Sequence, residues 1–266
     1  ISRVLLPTRY CHAWNFSMSA PQTVICMRWG GWPVEDVNVL FRNVMRNTAR
    51  ATRFIALTDD PNGMDPGIET RPLPSIPFWN AKGMYGGEGW RKLALWAADI
   101  GIEGEVLYLD LDVVVTGSID VFFDFHPGEF CIIRNWTEKL SKIGNSSIMK
   151  FVAGSASYLV DEFAKDPVAQ SHKFGNEQKF VTKNHRGPIN FWPRNWCPSF
   201  KKTLIPFWPL RLWKEAPLPA DAHMVVFTGA PRPRDALEGR WPTRRWRSKL
   251  THKIKPVTWL RGMGWD

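Results

Sequence analysis

The chain has 266 residues, 44% of them hydrophobic, and a formal net charge of +10. That length suits one large α/β domain or two small ones with an ample core, and no apolar run approaches the roughly 18 residues of a spanning helix. Four cysteines with no Cys-x-x-Cys pair predict neither a zinc site nor a disulfide framework, and with no secretory signal in view a reducing cytosol is the default compartment.

Residues 1–20 show no clear period and read as an irregular lead-in. Thr23–Met27 is a short apolar run that predicts the first buried strand. Gly30-Gly31-Trp32-Pro33 breaks it, and Val37, Leu40, Phe41, Val44 and Met45 then recur at helical spacing behind Pro33. Phe54–Leu57 predicts a second strand, ended by Thr58-Asp59-Asp60-Pro61-Asn62-Gly63. Strand, helix and strand in close succession make a βαβ unit, which implies a parallel sheet. Arg71 to Gly89 is a Pro- and Gly-rich loop. Leu93, Trp96, Ala97 and Ile100 follow on one helical face, closed by Gly101 and Gly104. Cys131–Ile133 and Ile148–Val152 read as strands, and Tyr158, Leu159 and Phe163 as a short helix. From Phe191 to Leu218 the chain is rich in Pro and Trp with little periodicity, and Met224–Phe227 is a last strand. The pattern predicts an α/β fold. Residues 21–239 form one domain with a mainly parallel twisted sheet flanked by helices, and 240–266 form a basic, Trp-rich extension.

The chemistry concentrates in Val106-Leu107-Tyr108-Leu109-Asp110-Leu111-Asp112-Val113-Val114-Val115. Read as one strand, its period of two sends Asp110 and Asp112 to one side, about 7 Å apart at Cα, within reach of one cation. Two acids on a greasy strand are costly to bury unless paired or bound to metal. Hard oxygen ligands select Mg²⁺ or Mn²⁺, ions that complete their shell with phosphate oxygens and water. In open α/β sheets ligands bind beyond the carboxyl ends of strands. The plainer alternative is a capped turn, since Asp is common where strands end.

With Trp90-Arg91-Lys92-Leu93 ahead of it on a helix, Tyr108-Leu109-Asp110-Leu111-Asp112 resembles the GT-A glycosyltransferases, in particular the glycogenin-like and bacterial lipopolysaccharide galactosyltransferase-like group. Weaker motifs fall in the family's order from about Thr23 to Pro233: Val24–Met27, Leu57-Thr58-Asp59-Asp60, Asn145-Ser146-Ser147, Glu177-Gln178 and Gly229-Ala230-Pro231-Arg232-Pro233. The resemblance implies a GT-A-like single domain that moves a hexose from a UDP-sugar to a glycan or glycolipid hydroxyl, with retention of anomeric configuration. It implies that Asp110 and Asp112 hold Mn²⁺ or Mg²⁺ against the diphosphate. It places Cys26 and Met27 beside the base, Asp59 and Asp60 near the nucleoside, and Lys92 (or Arg91) toward the donor. It places Asn145 at a turn near the donor sugar, Glu177 and Gln178 beside the reacting sugar, and Arg232 at the phosphates. The family's third metal ligand, a His, falls at Val226, with His223 three residues upstream. Glu177 is one methylene longer than the family's Asp. Bland alternatives stand beside these roles: a solvated Lys92, and plain turns at Asp59-Asp60 and Asn145–Ser147. A sugar-phosphate nucleotidyltransferase is the rival enzyme, for which Arg28-Trp29-Gly30-Gly31 is a poor phosphate loop.

Residues 240–266 hold eight Lys and Arg against Asp266 alone, interleaved with Trp241, Trp246, Trp259 and Trp265. Interfacial Trp with Lys and Arg suits the anionic inner face of a membrane, so a peripheral cytoplasmic protein is expected. A solvated end is the alternative. Nucleic-acid binding, as by a non-catalytic protein on a transferase scaffold, leaves the acidic pair without a role.

Overall fold

The structure is a computed structural model and describes residues 21–76, 78–138, 141–243 and 252–265. The lead-in 1–20 and the cations Arg244, Arg245, Arg247 and Lys249 lie outside the described residues. In chain order the elements are β1 (Gln22–Arg28), α1 (Val34–Arg46), β2 (Thr52–Thr58), β3 (Ile68–Arg71), a 3₁₀ helix (Gly87–Trp96), β4 (Glu105–Leu109) and β5 (Val113–Val115). There follow α2 (Asp120–Asp124), β6 (Cys131–Arg134), β7 (Gly144–Val152), α3 (Tyr158–Ala164), α4 (Pro167–Phe174), α5 (Glu177–Asn184), β8 (Asn190–Phe191), β9 (Met224–Val226) and α6 (Pro233–Leu237).

Seven strands form one sheet in the order β3-β2-β1-β4-β7-β6-β8. β3, β2, β1 and β4 run parallel, β7 is antiparallel to both neighbours, and β8 is parallel to β6. The sheet is thus mainly parallel, as the βαβ pattern predicts. Alternation along the strands splits the core. Ile25, Met27, Ile55, Leu57, Val106 and Tyr108 face Trp90, Leu93, Trp96, Leu159, Phe163 and Phe180 from the 3₁₀ helix, α3 and α5. Val24, Cys26, Phe54, Ala56, Leu107 and Leu109 face Val37, Leu40 and Val44 of α1 and the two-stranded β5–β9 sheet. Each large apolar side chain so buried contributes about 1.5–3 kcal/mol. No helix among the described residues is long and apolar enough to cross a membrane.

Several elements depart from the sequence pattern. The run 106–115 is not one strand. β4 ends at Leu109, the backbone turns so that Val113 N donates to Asp110 O at 3.1 Å, and β5 pairs with β9 in the small sheet. A run buried on both faces looks continuous in sequence even where the chain changes sheets. The helix expected around Leu93–Ile100 begins at Gly87, ends at Trp96 and is 3₁₀. The loop before it is packed down, with Ile76 in the core and Leu73, Phe78, Trp79 and Met84 against it. Gly86, at φ 95°, is held where a Cβ would meet Gly175 O at 2.7 Å. Only glycine fits both the left-handed backbone and that approach. Asn145–Ser147 lie in β7 beside an irregular register with β6 rather than in a turn.

Two helices have boundary signals but no apolar period long enough to reveal them. Asp166 accepts from Ala169 N at 2.9 Å ahead of Pro167, and Gly175 ends α4 at φ 75°. Asn176 then accepts from Lys179 N at 3.0 Å to start α5. The C-terminal segment does not extend from the domain. Ile254, Val257, Leu260 and Trp265 are buried with Val39 of α1 and with Val114, Val225 and Phe227.

Candidate active site

Between β1 and β4 the strand order reverses, so the crossovers diverge and leave a crevice at the carboxyl ends of these strands. The acidic turn sits there, fixed to the antiparallel half of the sheet by Asp110 N donating to Ser147 O at 2.8 Å.

The two aspartates have different surroundings. Asp110 Oδ2 accepts from Lys92 Nζ at 2.6 Å and Oδ1 accepts from Tyr108 Oη at 2.6 Å. Each oxygen keeps a further lone pair, because a carboxylate offers about four acceptor sites. Lys92 comes from the 3₁₀ helix and is not solvated: its side chain is 14% exposed. Burial works against its charge, but Asp110, Glu177 and Asp112 together hold it above the ordinary lysine range. The Tyr108 phenol is pushed well up by burial and by Asp110, so it stays a donor. Asp112 has no such cation in contact. Burial, then the charge of Asp110, push its carboxyl up to about 7, against weaker help from Lys92, the Gly229 amide and Arg232.

A second cluster joins the first through Lys92 and Asp110. Glu177, at the start of α5, is buried, and its Oε2 accepts from Ser146 Oγ at 2.8 Å. Its Oε1 is buried without a partner. Burial pushes this carboxyl up to about 7, with Lys92 and Ser146 opposing and Asp110 adding to the rise. Gln178 Oε1 accepts from Asn145 Nδ2 at 3.2 Å and from Ser146 N at 3.3 Å. Asn145 Oδ1 accepts from Ser147 N at 3.1 Å. The Asn145 amide therefore braces β7 to α5, and the Gln178 amide nitrogen is left to donate.

Asp112 also lines a cavity of about 400 Å³ with Trp32, Arg232, Pro242 and Trp265. Arg232 stacks over the Trp32 ring at 4.0 Å and makes no ion pair among the described residues. Its neighbours there are engaged, Arg234 with Asp36 and Arg240 with Asp235, each at 3.6 Å. The turn that carries Arg232 is held by Lys201, whose Nζ donates to Thr228 O at 2.6 Å and Ala230 O at 3.1 Å. Gly229 takes φ 71° within it, a conformation that leaves its N–H on Asp112.

The residues expected near the nucleoside divide. Met27 lines a cavity of about 120 Å³ with Leu73, Trp79 and Arg91, and Arg91 stacks over Trp79 at 4.0 Å. Cys26, its neighbour on the alternating strand, turns the other way and is fully buried among Leu40, Phe54 and Leu109. Burial raises its thiol far above the ordinary range, with Asp110 adding to it. Asp59 is exposed at the rim of a cavity of about 480 Å³ with Thr58, Pro61, Arg71 and Leu73. Asp60 is spent on its own turn: Oδ1 accepts from Asn62 N at 3.1 Å and Nδ2 at 2.8 Å. The position of the family's third metal ligand, Val226, is buried in β9 opposite Val113. His223 packs edge-on to Trp196 and Phe122 instead. Among the described residues no group of three or more His, Cys, Asp or Glu is placed to hold an ion.

Tyr108, Ser146 and Lys201 were not marked by sequence reasoning. Tyr108 carries a signal in its i,i+2 spacing from Asp110; Ser146 and Lys201 become visible only through contacts with Glu177 and the 228–230 turn.

No family model and no curated protein matches this chain. Solved structures do. The galactosyltransferase LgtC, solved in complex with donor and acceptor sugar analogues, aligns with a TM-score of 0.58 at 14% identity over 91% of this chain and 100% of its own. The glycosyltransferase GlyE of Streptococcus pneumoniae TIGR4 gives 0.56 at 14% identity over 80% of this chain, which spans 56% of GlyE. The bifunctional enzyme WbbM gives 0.50 at 9% identity over 83% of this chain and 48% of its own. The likeness is one of fold.

Proposed function

From the GT-A fold of this chain we propose that it is a glycosyltransferase, moving a hexose from a UDP-sugar to a saccharide hydroxyl with a divalent cation. The observation that carries the reading is the convergence of Lys92, Asp110, Asp112, Asn145, Glu177 and Gln178, from four separate segments, at the sheet's switch point. Asp110 and Asp112 fit a Mg²⁺ or Mn²⁺ ion. Asp112 faces a cavity, has its carboxyl pushed up to about 7 by burial and then by the charge of Asp110, and lacks a cation in contact among the described residues. With Val226 apolar, Asp110 and Asp112 would be the two protein carboxylates that hold such an ion, which suits Mg²⁺, a cation usually bound through one or two carboxylates and substrate phosphates. When bound, it neutralises charge on the departing diphosphate.

The chain's own residues do the rest. Arg232, with no ion pair among the described residues and presented by a turn over Trp32, offers a planar fork to phosphate oxygens. Lys92 orients Asp110 rather than meeting the donor directly. The orphaned Glu177 Oε1 and the Gln178 amide nitrogen are the groups offered to sugar hydroxyls, and Ser146 fixes the carboxyl that bears the first. Met27, Arg91 and Asp59 are assigned to the nucleoside, at the carboxyl ends of β1 and β2. Cys26 and Asp60 support that wall from behind. The nucleotidyltransferase alternative loses its loop cation, because Arg28 donates to Trp32 O at 2.9 Å and Asp60 O at 2.7 Å. Release of UDP across a panel of UDP-sugars, with Mn²⁺ and with chelator, tests the reading. One donor turned over only with metal is expected; failure of UDP to bind in either condition ends it.

Contact with an anionic membrane belongs to the same proposal, now through a different surface. Phe207 and Trp213 are 74% and 67% exposed, with Trp208 and Leu210 exposed between them. Lys255 N donates to Arg211 O at 2.8 Å, which brings the basic C-terminal segment alongside. Aromatics at the interface with about 1 kcal/mol per nearby cation give reversible docking. Sedimentation with phosphatidylglycerol vesicles, and not with phosphatidylcholine, is expected for the wild type and lost in Phe207→Ser/Trp213→Ser. Equal sedimentation of that variant removes the loop from the argument.

A further inference from the structure

We propose that the acceptor is an acidic saccharide, held in a cavity of about 320 Å³ framed by Arg134, Trp136, Trp192, Arg194, Lys202 and Thr203. This deepens the transferase reading and rests on it. Among the described residues no carboxylate lines this cavity. Arg194 and Lys202 are exposed and have no ion pair among the described residues. Arg134, with no ion pair among the described residues, lies over a ring, its guanidinium 4.3 Å from the Phe191 centroid. Three cations around one concavity, with no acid to balance them, make a field that an anion relieves.

The aromatic walls supply the other half of the recognition. The Trp136 N–H is satisfied by Cys197 O at 3.1 Å, whereas the Trp192 N–H is buried with no partner. Indole faces suit the C–H surface of a sugar ring, and guanidinium forks suit a carboxylate or phosphate. A volume near the low end of the roughly 300–1,000 Å³ range of ligand sites accommodates a small charged glycan end.

The cavity adjoins the reaction centre through shared backbone. Ile133, on its wall, pairs across the sheet with Asn145. Lys201 and Lys202 are consecutive in the turn Phe200–Leu204. The first holds the 228–230 turn beside Asp112, and the second lines the cavity.

Calorimetry on the intact chain tests this with three probes, a glucuronic acid disaccharide, a hexose phosphate and neutral maltose, and separately with UDP plus Mn²⁺. One or both acids are expected to bind at least about tenfold tighter than maltose, and which one binds identifies carboxylate or phosphate as the charge. Arg194→Ala/Lys202→Ala is expected to weaken the acid about a hundredfold, about tenfold per contact, while UDP binding stays unchanged and reports an intact fold. Maltose binding as tightly as either acid, a double variant that binds like the wild type, or no acid binding while UDP binds would each overturn the proposal and leave the transferase reading intact. Acid binding without any binding of UDP overturns the transferase reading instead, and with it the role of the acid as acceptor. Binding of neither overturns both.

Discussion

Asp112→Asn is expected to cut turnover by about a thousandfold or more and to abolish metal-dependent UDP binding, yet to raise the melting temperature of the metal-free protein at pH 8. The two effects have one cause. The wild-type carboxyl is held near 7 because ionising it is unfavourable in its buried place and beside Asp110, and the amide removes both penalties along with the metal ligand. In the wild type a bound ion must displace the proton, so apparent Mn²⁺ affinity is expected to fall by up to about tenfold per pH unit below 7 and to level off above it. Differential scanning fluorimetry with and without Mn²⁺ reads both. An Asp112→Asn protein that is still stabilised by Mn²⁺ as strongly as the wild type would remove Asp112 from the metal site.

Glu177→Gln is expected to show the opposite pairing of activity and stability most clearly. The folded carboxyl titrates near 7 and the ordinary value is 4.5. Between those values the folded chain binds a proton that the unfolded chain has released, so stability falls as pH rises through the window. Above 7 the whole penalty is present, on the order of 3 kcal/mol. Glutamine cannot ionise and escapes it. The variant is therefore expected to gain little over the wild type at pH 4.5 and roughly 5–10 °C in Tm at pH 8. Transfer is expected to fall by at least about a hundredfold. A stability difference that does not change with pH would mean that the buried carboxyl is not the source of strain. Gain of stability on loss of a polar group is the mark of a site kept for chemistry.

The parallel half of the fold was legible because its signals are local. Thr23–Met27 and Phe54–Leu57 are apolar runs of strand length, and Val37, Leu40 and Val44 recur at a helical period between them. The acidic pair was legible as an anomaly of burial. The path of the chain at the pair is not legible locally: a two-residue alternation cannot show that the chain leaves one sheet for another between Leu109 and Val113. The order of Asn145 and Glu177-Gln178 along the chain could be matched to a family, but that these residues bond each other depends on the bulged register of β7 against β6, a long-range property. Lys92 needed the same information, since nothing in its own segment distinguishes a solvated lysine from one 2.6 Å from a half-buried carboxylate. The basic composition of 240–266 was read as an extension because charge is visible in a window, whereas the spacing of Ile254, Val257, Leu260 and Trp265 matters only against the groove between α1 and β9.

Trp265 serves two structures at once: it plugs the third core cluster and walls the cavity that Asp112 and Arg232 face. Trimming the final fifteen or so residues to simplify handling would therefore not yield a smaller version of the same fold. It would unseat α1 from behind and open the cavity beside Asp112 from the side, so shortened forms of this chain are poor proxies for the whole.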